Sequence, residues 1–105
     1  MNYKLPKELK LKMIREIKQY EQNKKKLQSL QQKSTRQYLF LEERLFYVEK
    51  AYMNLSESEK NVYNKIFKEG CNWKFCQTIF NIDKDTYYKV FNKSLYLLAE
   101  EWGEV

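Results

Sequence analysis

An all-helical fold is the expectation for this 105-residue chain, and three features carry it. Punctuation is scarce: two Gly and one Pro leave long stretches with nothing to break a helix. Apolar residues recur at steps of three and four, and no segment alternates with period two long enough to make a strand. Nine Tyr and six Phe supply large buried area per residue, which puts a modest core within reach. The architecture predicted is a long basic N-terminal helix over residues 1–33, an extended unit, and a helical bundle over 34–105. Within the bundle a helix-turn-helix is expected at about 57–102.

The first element starts after Pro6, whose missing N–H would be unpaired in a first turn anyway. No breaker follows until about Gln32. Leu9, Met13, Ile17, Tyr20, Leu27 and Leu30 form one stripe, interrupted where Lys24, Lys25 and Lys26 fall together. The net charge of +6 is concentrated here, since residues 1–37 hold eleven Lys/Arg against three Glu and the remainder is slightly acidic. Such a segment suits an anionic partner, while the plainer reading is a solvated lysine-rich face.

A second helix follows a Ser34-Thr35 cap pair. Tyr38, Leu41, Leu45, Val48, Tyr52 and Leu55 line one side of it, and Leu39, Phe40, Phe46 and Tyr47 widen that side. So much apolar surface predicts burial on two sides, as a domain spine or a dimer contact. The third helix opens on the capping box Ser56-x-x-Glu59 and stops at Gly70, which enters the left-handed conformation without strain. Asn72 caps a short helix with Trp73, Cys76, Ile79 and Phe80 inward, and Asn81 ends it. Asp83 caps the last helix, from about Lys84 to Glu101, with Tyr87, Val90, Phe91, Leu95, Leu98 and Trp102 inward. Short helix, tight turn and longer helix is the sequence signature of a helix-turn-helix.

Catalytic constellations are missing. The chain has no His and no Gly-rich phosphate loop, and its adjacent carboxylates Glu42 and Glu43 point apart on a helix. No enzymatic activity and no cofactor are expected. Cys71 and Cys76 lack the further ligands a zinc site needs, so no metal is expected, and Cys76 suits a buried position. No apolar run approaches a membrane span or a signal peptide, so a cytoplasmic protein with no membrane partner is predicted. In that compartment the cysteines stay reduced.

Binding is the remaining class. A recognition helix meets the major groove with its N-terminal residues while its opposite side packs on the domain. Subtracting the inward stripe leaves Lys84, Thr86, Tyr88, Lys89, Asn92 and Lys93, with Asp85 among them. Thr, Tyr and Asn reach base edges, and lysines neutralise phosphates. Asn72 and Lys74, at the start of the preceding helix, are candidates for backbone contacts. The competing account of these residues is the wet side of a terminal helix.

The stretches "SESEKNVYNKIFKEG" and "NWKFCQTIFNIDKDTYYKVFNKSLYLLAEEWGE", above all the tail "LLAEEWGE", resemble the sigma region-4-like helix-turn-helix of RinA/ArpU-type phage late-gene transcriptional activators. The resemblance covers about half the chain, residues 56–104. It implies a regulator in a bacterial host cell that binds double-stranded promoter DNA through its last helix and activates late genes. The sequence departs from that pattern at Asp85, where Arg or Lys is usual, and at Tyr88, where a polar or basic residue is common. The alternative is therefore a protein-interaction module that binds RNA polymerase or another phage regulator and inhibits it. A homodimer is compatible with either.

Overall fold

The computed structural model describes residues 3–30 and 35–105. Among these there is no strand. Six helices run in order: α1 (Lys7–Lys18), α2 (Tyr20–Ser29), α3 (Arg36–Met53), α4 (Glu57–Tyr63), α5 (Trp73–Phe80) and α6 (Lys84–Glu101). A π-helical turn, Asn64–Lys68, prolongs α4. Ser34, the predicted end near Gln32 and the 33/34 boundary lie outside the described residues, while Thr35 accepts from the Tyr38 amide at 3.2 Å as a cap should.

The long N-terminal helix is corrected to two helices that meet at Gln19. Long-range side-chain bonds explain the break. Arg44 on α3 grips Glu16 through two bonds, at 2.9 and 2.7 Å, and donates to the Gln19 side chain at 3.1 Å. One residue on, the Tyr20 hydroxyl donates to Glu49 at 2.6 Å. The end of α1 and the start of α2 are thus tied to α3, and α2 runs along it. Neither is α1 an arm standing apart, because Met13 is fully buried and Ile17 nearly so.

The core has two parts, and α6 belongs to both. The larger joins Met13 and Ile17 of α1, Val48 and Ala51 of α3, Leu55, Tyr63, and Leu95, Leu98 and Ala99 of α6. The smaller joins Val62 and Ile66 to Cys76 of α5 and to Tyr87 and Val90 of α6. Phe67 and Phe91, stacked with centroids 5.4 Å apart, touch both. In a regular α-helix residues three apart share a face. The wider π turn instead lets Tyr63 serve the first part and Ile66 the second.

The local stops and starts follow the sequence. Ser56 and Glu59 form the reciprocal capping box. Gly70 at φ +69° ends the π turn, and its extra reach lets the Cys71 amide find the Lys65 carbonyl at 2.9 Å. The C-terminal tail folds back on α1: Lys12 bonds Glu104 at 3.2 Å and lies 4.7 Å from the Trp102 ring. The second apolar side predicted for α3 is not covered, since Leu39, Phe40 and Phe46 remain about half exposed. No helix of the described residues is long and apolar enough to cross a membrane.

Candidate nucleic-acid interface

Helices α5 and α6 are joined by three residues, Asn81 to Asp83. Asn81 takes the left-handed conformation, φ 52° and ψ 44°, where glycine is otherwise usual and Asn is the best-tolerated substitute. Asp83 then caps α6 by accepting from the Thr86 amide at 2.7 Å. Bonds from the Thr86 side chain and amide hold the Asp83 carboxyl below its ordinary range, so the cap is charged at neutral pH. A second tie fixes the junction: the Tyr87 hydroxyl donates to the Cys71 carbonyl at 3.2 Å, binding the start of α6 to the approach of α5.

This junction gathers positive charge. Lys84 lies 5.0 Å from the centre of the Trp73 ring and Lys74 lies 5.9 Å from it. One indole therefore draws a lysine from each helix start to the same spot. Asn72 is exposed beside them, its side-chain oxygen spent on capping α5 by accepting from the Phe75 amide at 3.0 Å.

The first three turns of α6 sort the remaining candidates. Thr86, Tyr88 and Lys89 are exposed, and so is Asp85. Tyr88 rests edge-on against Tyr87 at 5.0 Å, which fixes its ring while leaving its outer edge in water. Among the described residues Lys89 has no ion-pair partner. Lys93 differs, because its ammonium lies 3.0 Å from both oxygens of Glu59 and is only partly exposed. Glu59 is at once the capping-box residue of α4, so Lys93 is held against the bundle rather than offered to a ligand. Asn92 is half-buried and faces the N-terminal segment, where it lines a small cleft of about 160 Å³ with Tyr3, Lys4, Leu5 and Lys10.

That cleft brings in residues the sequence did not nominate. Lys10 reaches over Phe91 at 5.5 Å, and Lys4 lines the cleft with it. The beginning of the basic first third therefore flanks the free face of α6. The signal for it was the charge surplus; the placement needed the long-range packing of α1 on α6. Trp73 was read only as an inward residue, yet it also organises two lysines.

The other polar groups offer less chemistry. Cys76 is fully buried and burial pushes its thiol above the ordinary value, so it packs as a small hydrophobe. Among the described residues no three His, Cys, Asp or Glu side chains cluster as a metal would need. What α5 and α6 do offer is exposed Lys74, Lys84 and Lys89 on the same pair of helices as exposed Thr86 and Tyr88. Compared with known proteins, the chain matches no family model, no curated protein and no solved structure.

Proposed function

We propose that the chain is a phage-type transcriptional regulator that binds double-stranded DNA with α6 as recognition helix and α5 crossing the backbone. The observation that carries this is the free face of the first turns of α6. Thr86 and Tyr88 are exposed in those turns together with Lys84 and Lys89, Lys74 and Lys84 share the Trp73 ring, and Lys4 and Lys10 line the cleft at Asn92. A three-residue turn with a left-handed Asn81 supports the helix-turn-helix assignment. In this reading Lys84, Lys89, Lys74 and Asn72 contact phosphates, and Thr86 and Tyr88 meet base edges. Asn92 contributes from the side of the N-terminal cleft, and Lys93 serves by bracing α6 on α4. Activation of late genes is the regulatory outcome the family resemblance favours.

Anisotropy titration against promoter and random duplexes at two salt concentrations tests the proposal. Submicromolar binding with a steep salt dependence is expected, and Lys84→Ala and Lys89→Ala should each reduce the salt slope by about one. Thr86→Ala should instead change which duplex is preferred. Binding that is indifferent to all three substitutions would remove α6 from the interface.

A second reading, a module that binds RNA polymerase or another regulator, is favoured by one observation: the half-exposed Leu39, Phe40 and Phe46 on α3. Pull-down of purified polymerase, lost on Phe40→Ser, would support it.

A further inference from the structure

Single exposed apolar residues are ordinary on a protein surface. Those on α3 are not scattered. Leu39, Phe46 and Met53 are 54%, 54% and 68% exposed and stand seven residues apart, two helical turns each time. At that spacing a helix returns to nearly the same side, so the three form one straight stripe along α3. The stripe is symmetric about Phe46, with one large aliphatic side chain two turns before it and another two turns after.

The charges beside the stripe share that symmetry. Glu43 and Lys50 lie on one flank, three residues before Phe46 and four after. Lys50 already leans over the stripe, 5.8 Å from the Phe46 ring, and is held only loosely by Glu101 at 3.6 Å. Glu43 accepts from the Tyr47 hydroxyl and is otherwise exposed. On the other flank stand Glu42 and Glu49, and Glu49 is engaged by Tyr20 of α2.

We propose that this stripe is a self-association surface on which two copies of the chain pack their α3 helices antiparallel, about a two-fold axis at Phe46. In that arrangement Phe46 meets its own image and Leu39 comes level with the partner's Met53. Glu43 falls within one residue step, about 1.5 Å of axial rise, of the partner's Lys50, and symmetry makes the pair twice. Glu42 likewise falls within one residue step of the partner's Glu49, a like-charge contact at the rim that weakens the dimer. A parallel two-fold pairing instead brings opposite flanks together: Glu43 meets the partner's Glu42, and Lys50 is left with the partner's Glu49, which Tyr20 already engages, so the charges favour the antiparallel one.

The size of the surface fixes the strength. Three side chains of about 200 Å², each at least half exposed, offer roughly 350 Å² of apolar surface per copy. A standard interface takes about 800 Å² per partner, a little over half of it apolar. The stripe falls at the lower end of that range and gives a reversible dimer rather than an obligate one. The inference does not depend on DNA binding, and its test contains no nucleic acid.

Sedimentation equilibrium of the full chain over a wide concentration range is the test. The mass should rise with concentration from 13.0 kDa towards twice that value. Phe46→Asp should remain monomeric while keeping its helical circular dichroism. Glu43→Lys and Lys50→Glu, both at surface positions, should each weaken the dimer about tenfold, and the double reversal should restore it. A single 13.0 kDa species at every concentration would overturn the proposal. So would a dimer indifferent to Phe46→Asp, or single reversals that the double does not rescue.

Discussion

Helices α1 and α2 come from one basic stretch of similar composition, yet they have opposite fates. Met13 and Ile17 carry α1 into the main core, whereas α2 buries no residue and lies on the outside of α3. The difference traces to three positions. Lys24, Lys25 and Lys26 interrupt the apolar stripe in α2, and with nothing to bury the helix is held by its edge contacts, chiefly Tyr20 on Glu49. Composition and charge thus do not decide whether a helix belongs to a core; the continuity of its apolar side does.

The contrast is broken most sharply by truncating one apolar side chain on each helix. Met13→Ala should cost about 2–5 kcal/mol of unfolding free energy, because it opens a cavity among Leu95, Leu98 and Ala99. Leu27→Ala, on the half-exposed side of α2, should cost less than about 1 kcal/mol. Urea unfolding of both variants measures this, and equal losses would mean α2 is as deeply anchored as α1.

Next comes the polar seam that ties both of them to α3. Glu16→Gln breaks a two-pronged bond to Arg44 that is largely shielded from water, with Glu16 8% exposed. A loss of about 2 kcal/mol is expected, since Arg44 would keep its charge without its partner. Tyr20→Phe removes one bond at the surface and should cost under about 1 kcal/mol. A double-mutant cycle over Glu16 and Arg44 isolates the pair from the cost of leaving either one alone.

In DNA binding the start of the chain and α2 should separate in a different way. Replacing Lys4 and Lys10 together by Ala should lower the salt slope by about two, because both flank α6. Replacing Lys24, Lys25 and Lys26 together should leave the slope unchanged. The reverse result would move the interface from α6 to α2.

The smallest effect concerns a lysine that is held rather than free. Partial burial raises the Glu59 carboxyl, but the Ser56 amide and the Lys93 ammonium outweigh it and the net shift is downward. A carboxyl lowered in the folded state stabilises fully above its unfolded value and loses that contribution as pH falls through the folded one. Melting temperature should therefore decline on acidification, and Glu59→Gln should be less stable at neutral pH with a flatter acid limb.

Much of this fold could be read locally. Ser56, Gly70, Asn72, Asn81 and Asp83 mark helix ends through their own side chains or backbone freedom, and each acts on residues within a few positions of itself. What was not legible depended on distance. The break at Gln19 is set by Arg44, twenty-five residues away, and no residue type at Gln19 announces it. The π turn has an ordinary helical composition. For the candidate site, the outward set on α6 followed from its period, but the fate of Lys93 depended on Glu59 across the bundle and that of Asn92 on the N-terminal cleft. A helical wheel separates inside from outside; it does not say what stands opposite.

The π turn at Asn64–Lys68 has a consequence for how the chain tolerates changes of length. A π turn is an α-helix carrying one residue beyond its need, so the segment holds slack. Removing a residue there lets the backbone tighten to α while Gly70 and the helices beyond keep their seats. The same deletion early in α6 has no slack to draw on. It rotates every later side chain by about 100°, setting Val90 in the exposed place of Lys89 and forcing Phe91 into the smaller buried place of Val90.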